Sequence, residues 1–157
     1  MNPIRPASAA DASRIAEIII TNYRVNFYPF FRNDPFYFGE LNVVDMAAEY
    51  AEGTQALQQT YVYDDGVVKG VLRVCGDEVE KLYVEPQFQS QGIGAALLEF
   101  AISEMHVTNL WALEYNKRGI AFYSRHGFLP NGETMTEDEW VPLIRLVRQP
   151  DSKEQTV

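Results

Sequence analysis

The spacing of apolar and polar residues in the first third of the chain predicts a short strand followed by two helices. Residues 4–7 favour the strand. In the segment that follows, apolar residues recur at helical spacing, and Ser8 or Asp11 provides the N-cap signal before them. The apolar positions of this first helix are Ile15, Ile18, Ile19 and Tyr23. A second helix is expected around Asn42–Glu52, because Pro29 and Pro35 interrupt a continuous helix between the two.

Strands dominate the rest of the chain. Gln59–Tyr63 and Val67–Val74 flank the sequence Asp-Asp-Gly at residues 64–66, which is typical of a hairpin turn. Val79–Val84 is the next predicted strand, and Pro86 ends it. Two more helices are predicted, 91–105 and Lys117–His126, and Gly127 is the C-cap of the second. The remaining predicted strands are Asn109–Leu113, Phe128–Pro130 and Val141–Val147. An acidic loop over residues 136–139 separates the last two strands. Interleaved elements of this kind predict an α/β fold with a mixed, mostly antiparallel sheet.

Composition and charge narrow the classes of protein without identifying one. The 157 residues suit a single domain, predicted for residues 1–150, with residues 151–157 as a flexible tail. The N-terminus lacks the apolar core of a signal peptide and no apolar run could span a membrane, so a cytoplasmic protein without a membrane partner is expected. The single cysteine, Cys75, excludes an intramolecular disulfide. A net charge of −9 argues against a nucleic-acid partner.

The sequence Gln-Ser-Gln-Gly-Ile-Gly at residues 89–94 is the strongest chemical signal. It lies between the predicted strand Val79–Val84 and a predicted helix, and the first N–H groups of a helix have no intrahelical partner and attract negative charge. Gly92 and Gly94 remove the side chains that would keep a diphosphate away from these donors. A dinucleotide fingerprint would need a third glycine near Leu97, and a P-loop would need Gly-Lys-Ser or Gly-Lys-Thr; the sequence has neither.

A second block of matching residues lies farther along the chain. The first block, Gln89–Gly94, fits the pattern Q/R-x-x-G-x-G/A, and the second fits N-x-x-A-x-x-F-Y-x-x-x-G-F except that Gly119 stands where alanine is usual. The matching positions of the second block are Asn116, Phe122, Tyr123, Gly127 and Phe128. With both blocks at this separation, residues 3–148 resemble the GCN5-related N-acetyltransferase (GNAT) superfamily. The resemblance implies a three-layer α/β fold of about six or seven strands and about four helices.

The resemblance also implies acetyl-CoA as the acyl donor, bound without a metal ion. The residues implied in binding its diphosphate through backbone N–H groups are Gln89, Ser90, Gln91, Gly92, Ile93, Gly94 and Ala95. Leu82, Tyr83 and Val84 are implied to pair with the pantetheine arm as an added strand would. Asn116 is expected to cap the helix that follows it and to contact the pantetheine. Lys117 and Arg118 either neutralise the phosphates or are solvated at the start of the helix.

Acetyl transfer needs a neutral amine, a stabilised oxyanion and a proton for the departing thiolate. The resemblance assigns the proton donor to Tyr123, which is otherwise a core aromatic residue, and the oxyanion to a backbone N–H near Val84. Glu80 is the first candidate for the base and Glu78 the second, because strand alternation places both on the same face as Val84. Simple solvation of a strand end is the alternative for both glutamates. Glu114 is a third candidate.

The sequence therefore predicts an N-acetyltransferase in which an amine attacks acetyl-CoA directly in a ternary complex. The alternative is a non-catalytic acyl-CoA-binding or regulatory module of the same fold. The acceptor, a small-molecule or peptide amine, is not identified by the sequence, and a homodimer is left open. In the family the acceptor lies near the first helices, so the eight aromatic residues of segment 23–38 either line its pocket or, for the most part, seal the helices onto the sheet. The acidic segment Glu133–Glu139 would attract a cationic acceptor.

Overall fold

Seven strands form one mixed sheet within residues 2–149, the part of the chain that the computed structural model describes. In chain order they are β1 (Ile4–Pro6), β2 (Thr60–Asp64), β3 (Val68–Cys75), β4 (Glu78–Val84), β5 (Asn109–Leu113), β6 (Phe128–Glu137) and β7 (Val141–Arg148). Their order across the sheet is β1-β2-β3-β4-β5-β7-β6, and every neighbouring pair is antiparallel except β4 and β5. The predicted mixed, mostly antiparallel α/β fold is confirmed. The flexible tail predicted for residues 151–157 lies outside the described residues.

Four helices of seven or more residues accompany this sheet in the described chain, together with two single-turn helices. They are α1 (Ala12–Asn26), α2 (Tyr28–Phe31), α3 (Val43–Glu49), α4 (Gln55–Gln58), α5 (Ile93–Met105) and α6 (Lys117–Arg125). A π-helical turn, Phe36–Glu40, lies between α2 and α3, where the prolines break the helical pattern. Polar caps start several of the helices: Asn42 accepts the Asp45 N–H at 2.9 Å and so begins α3.

The helices cover both faces of the sheet and enclose two apolar clusters. Helices α1 and α3 lie on one face, where the isoleucines of α1 pack with Tyr50, Val62 and Val71. Helix α5 lies on the other face, where Leu97 and Leu98 pack with Leu72 of β3. Helix α6 packs against β6 on this same side. The fold therefore has three layers: helices, sheet and helices. The side chains of Ile15, Ile18 and Ile19, which recur at helical spacing, all point into the first cluster.

The C-terminal hairpin differs from its sequence prediction. The expected short strand Phe128–Pro130 is the start of one long strand, β6, which also includes Thr136 and Glu137 of the expected acidic loop and pairs both with β7; residues 138–140 form the turn. Strand β6 is an edge strand and is exposed along almost its whole length, so it shows no alternation of apolar and polar residues that sequence analysis could detect. Its turn places Asp138 and Glu139 at positive φ, a conformation that usually requires Asn or Gly.

Strand β4 contains a bulge that changes which of its residues share a face. Arg73 of β3 pairs with Lys81 and Val74 pairs with Val79, so Glu80 is an extra residue without a partner on β3. Val79 and Val84 consequently both face the α5 side, whereas Lys81 faces α1. The prediction that Glu78 and Glu80 share a face with Val84 is therefore wrong, because the bulge shifts the alternation by one residue. Both glutamates lie on the α1 side of the sheet, and their carboxyl groups interact.

The parallel pair β4–β5 creates an opening in the sheet. Only two register pairs join these strands, Glu78 with Asn109 and Val79 with Leu110. Beyond them the two strands diverge, while β4 stays paired with β3 as far as Val84 and β5 stays paired with β7 as far as Leu113. The sheet therefore opens between the carboxyl ends of two parallel strands, which is where ligands bind in many α/β folds.

Candidate active site

A cleft of about 860 Å³ occupies the opening between β4 and β5. Because the strands diverge, the cleft is lined by residues from both faces of the sheet. On the α5 side it is bounded by the glycine turn and by α6, and on the α1 side by Tyr23, Phe27 and residues of β4 and β6. The residues of the sequence prediction that line it are Glu78, Glu80, Leu82, Tyr83, Val84, Gln89, Ser90, Gly92, Gly94, Ala95, Asn116, Arg118 and Tyr123. A pocket reached from both layers can hold two substrates at once.

The edge of β4 presents backbone groups to this cleft. The Glu85 N–H donates to the Lys69 carbonyl at 2.9 Å, which makes Gly70 and Val84 a non-hydrogen-bonded pair of the antiparallel ladder. The N–H and C=O of Val84 therefore point away from β3 and toward the opening, and alternation gives Leu82 the same direction. The backbone of Tyr83 points the other way, toward β3. Of the three residues predicted to pair with pantetheine, Leu82 and Val84 have the required backbone direction.

The glycine turn leads into the longest helix on this side of the sheet. Ser90 and Gly92 both have positive φ, 65° and 85°, and Gly92 is the N-cap of α5. The first helical acceptor in this turn is the Gly92 carbonyl, bonded to the Ala96 N–H at 3.0 Å, so the N–H groups of Ile93–Ala95 have no helical partner. These free donors and the helix dipole form an anion site beside the cleft. The Ile93 side chain itself is buried in the core.

Two polar side chains fix this turn in place. Gln89 donates its amide to the Val84 carbonyl at 3.1 Å, so the first residue of the motif links the turn to the end of β4. Arg118 at the start of α6 donates to the Ser90 hydroxyl at 2.8 Å, which brings an exposed cation next to the free N–H groups. A guanidinium in this position complements the charge of a bound diphosphate.

The start of α6 explains the one departure from the family pattern. Asn116 accepts the Gly119 N–H at 3.0 Å and caps the helix, as predicted. A Cβ on Gly119 would lie 2.3 Å from the Asn116 amide nitrogen. Glycine at position 119 therefore lets the Asn116 side chain fold closely over the helix start, and the departure and the cap depend on each other.

Tyr123 combines a half-buried ring with a place on the cleft wall. Its ring packs edge-on against Phe122 and Phe128, with centroids 5.2 Å and 6.3 Å away. Its hydroxyl forms no hydrogen bond with another residue of segment 2–149. Burial raises the pKa of Tyr123 well above the ordinary value for a phenol, so the hydroxyl keeps its proton at neutral pH. The structure thus places a protonated donor without a protein partner at the cleft.

The α1 side of the cleft carries a cluster of charges. The Lys81 ammonium donates to the Tyr23 hydroxyl at 2.7 Å. Burial, and after it the neighbouring Glu80, raises the pKa of Glu78. Burial also raises the pKa of Glu137, which sequence analysis placed in an acidic loop rather than in the site. Glu114, the third candidate base, is exposed and does not line the cleft.

The aromatic residues of segment 23–38 are mostly structural. Phe31, Phe36 and Tyr37 each pack edge-on against Trp140, and together with Leu113, Val141 and Leu143 they close this end of the sheet. From the segment, the side chains of Tyr23 and Phe27 reach the cleft. Two further observations concern only residues 2–149: no helix is long and apolar enough to cross a membrane, and no group of three or more His, Cys, Asp or Glu could hold a metal ion.

A seven-stranded mixed sheet that opens beside a glycine turn is the fold of the GNAT acetyltransferases. The family model described as "Acetyltransferase (GNAT) domain" matches residues 56–130. The solution structure of apo-form YjaB from Escherichia coli superposes with a TM-score of 0.74 at 19% identity, over 94% of this chain and 97% of that one. The crystal structure of the PaiA N-acetyltransferase from Thermoplasma acidophilum in complex with coenzyme A has a TM-score of 0.60 at 18% identity, over 90% and 96% of the two chains.

Curated relatives agree with this assignment. Peptidyl-lysine N-acetyltransferase YjaB of Salmonella typhimurium is 27% identical over 88 residues, which are 55% of this chain and 61% of that protein. An uncharacterized N-acetyltransferase of Methanocaldococcus jannaschii is 38% identical over 75 residues, 45% of this chain and 32% of its own length. The chain thus spans about three fifths or less of the curated relatives it matches. The match of residues 56–130 to the GNAT domain, together with these relatives, confirms the resemblance that the two motifs indicated.

Proposed function

We propose that this protein is an N-acetyltransferase that moves an acetyl group from acetyl-CoA to a primary amine by direct attack in a ternary complex. One observation carries the proposal: the free N–H groups of the glycine turn, the cleft-facing edge of β4 and the protonated Tyr123 hydroxyl line a single cleft. The match to the GNAT domain and the names of the relatives support it.

The residues of the cleft fit acetyl-CoA, which supplies the acetyl group as a reactive thioester. The N–H groups of Ile93–Ala95, together with Arg118, would hold the diphosphate. The outward N–H and C=O of Leu82 would pair with the amides of the pantetheine arm, and the outward Val84 N–H would extend this edge toward the thioester. Asn116, which caps α6 at the cleft wall, would contact the same arm. The roles of Gln89, Ser90 and Gln91 are to shape the turn and to present its backbone.

The catalytic roles follow from what each group can do with a proton or a charge. The Val84 N–H, directed into the opening, would stabilise the negative charge that develops on the thioester oxygen. Tyr123 would give its proton to the departing thiolate, since burial keeps the phenol protonated until a stronger base forms beside it.

Glu80 is proposed as the group that accepts the proton of the amine, with Glu78 beside it as the second candidate. Both carboxyls line the α1 side of the cleft, the side opposite the glycine turn, so an acceptor that approaches from there would meet them first. The primary amine of that acceptor belongs to a small molecule or to a peptide lysine. The name peptidyl-lysine N-acetyltransferase of the YjaB relatives favours the peptide.

Two measurements test the proposal. Calorimetric titration with coenzyme A asks whether the cleft binds the donor, and a panel of amines with acetyl-CoA, followed through free-thiol release, asks whether transfer occurs. Tyr123→Phe is expected to lower kcat about a hundredfold, the size of a general-acid contribution, while the Kd for coenzyme A stays close to that of the wild type. Coenzyme A binding without transfer to any amine would instead support a non-catalytic acyl-CoA-binding module, and a lack of binding would refute both.

A further inference from the structure

Asn22 interrupts the apolar face of α1 at a position where another isoleucine would be expected. It follows Ile15, Ile18 and Ile19 at helical spacing, and all three are fully buried. Asn22 itself is only 2% exposed. Burial of an amide costs free energy unless each of its polar atoms forms a hydrogen bond, so the fold tolerates Asn22 here only if its partners satisfy both the nitrogen and the oxygen.

The Asn22 amide uses its whole hydrogen-bonding capacity. Its nitrogen donates to the Ile18 carbonyl at 2.9 Å and to the Val84 carbonyl at 3.0 Å. Its oxygen accepts from the amides of Asn26 and Gln89, each at 3.4 Å. The orientation is fixed by chemistry, because a rotated amide would place its oxygen against two carbonyl oxygens.

These contacts converge on the functional end of β4. The Val84 carbonyl faces the opening and has no strand partner there, and it receives the amides of both Asn22 and Gln89. Asn22 therefore connects three parts of the site: helix α1, the residue whose N–H faces the thioester position, and the first residue of the glycine turn. No other buried polar side chain among residues 2–149 bonds to both β4 and that turn.

We propose that Asn22 is a positioning residue for acetyl transfer: by holding the Val84 carbonyl and the Gln89 side chain it fixes the backbone on both sides of the Val84 Cα, so that the Val84 N–H, in the preceding peptide group, keeps its direction. The inference rests on the proposed function, in which that N–H stabilises charge on the thioester oxygen. Because this charge develops only in the transition state, loss of the alignment lowers kcat rather than the affinity for the amine.

Asn22→Leu separates this role from a purely structural one. Leucine continues the apolar face of α1, so the melting temperature is expected to stay near that of the wild type, whereas kcat falls about tenfold or more and KM for the amine stays within about twofold. Ile19→Ala is the control: it removes buried volume from the same helix without contact to Val84, so it lowers the melting temperature but leaves kcat within about twofold. Asn22→Asp, which keeps the shape of asparagine and loses the donor, is expected to lower kcat as Asn22→Leu does and to lower the melting temperature as well, because it places a buried carboxyl oxygen against two carbonyl oxygens.

A second readout does not depend on turnover. The Glu85 N–H belongs to the same peptide group as the Val84 carbonyl, and it bonds to the Lys69 carbonyl. Its hydrogen exchange, followed by NMR, is expected to be about tenfold faster in Asn22→Leu than in the wild type. Unchanged exchange together with unchanged kcat in both Asn22 variants would overturn the inference. An inactive wild type that does not bind coenzyme A would instead refute the proposed function, and the exchange experiment would still decide the role of Asn22.

Discussion

Gly92→Ala is the sharpest test of the glycine turn as the diphosphate site. Gly92 has φ of +85° and is the N-cap of α5, and a Cβ at this position would meet nothing within 4 Å. The substitution therefore adds no clash. It adds only the strain of an L-residue in the left-handed region, about 1–2 kcal/mol. For a chain of this size that strain lowers the melting temperature by about 2–8 °C.

The strain can be relieved only if the turn changes its backbone conformation. Such a change would redirect the free N–H groups of Ile93–Ala95, and loss of one hydrogen bond to a charged group costs about 1.5–3 kcal/mol. The expected result is a Kd for coenzyme A that is about ten to a hundred times higher than that of the wild type. The KM of the acceptor amine should change little, because the amine is proposed to bind on the α1 side of the sheet.

Gly132→Ala provides a matched control. Gly132 has φ of +92°, a Cβ there would also meet nothing within 4 Å, and the residue lies on β6 away from the cleft. The two variants should lose similar stability in calorimetric melting, while Gly132→Ala keeps its Kd for coenzyme A within about twofold. If Gly92→Ala also kept its affinity despite the loss of stability, the diphosphate would have to bind elsewhere.

Two further predictions concern carboxylates. Glu80→Gln is expected to lower kcat/KM at pH 7 about tenfold or more, and Glu78→Gln is expected to lower it by a smaller factor. The measurement is a pH–rate profile of each variant. If Glu78→Gln caused the larger loss, Glu78 would be the base. Asp11, which the Arg5 guanidinium holds at a lowered pKa, stabilises the fold fully above about pH 4 and loses this contribution as the pH falls through the lowered pKa. At pH 7 the free energy of unfolding of Asp11→Asn should be about 1–2 kcal/mol lower than that of the wild type. In denaturant titrations at decreasing pH, the free energy of unfolding should fall more steeply for the wild type than for the variant. The same pH dependence in both proteins would contradict this reasoning.

The sequence predicts the fold well wherever one face of an element is buried. The isoleucines of α1 point into one apolar cluster, and the apolar run of β3 packs into both clusters because helices cover both of its faces, so these patterns correspond directly to structure. Strand β6 has no buried face beyond Phe128, and its length was therefore not predictable from apolar spacing. The bulge at Glu80 was equally hidden, because an extra residue in one strand is defined only by the register of its partner.

The glycine turn and the cap of α6 were predictable because they depend on local backbone rules. A glycine turn before a helix creates free N–H groups whatever surrounds it, and Asn116 caps the helix that follows it in the sequence. The charged wall of the cleft depends on contacts between residues far apart in the chain, such as the bond of Lys81 to Tyr23 or the place of Glu137 in the cleft lining. A single signal could have indicated Asn22: a lone polar residue at a buried position of an otherwise apolar helical face.

Helix α1 connects the two halves of the cleft through consecutive residues. Asn22 bonds to the Val84 carbonyl and to Gln89 beside the glycine turn, and Tyr23 bonds to Lys81 at the charged wall. Because both residues belong to one rigid helical turn, their separation is set by the helix and not by the cleft. The turn that carries Asn22 and Tyr23 therefore does more than stabilise the fold: it sets the distance between the backbone of Val84, which is proposed to face the thioester, and the charged wall at Lys81.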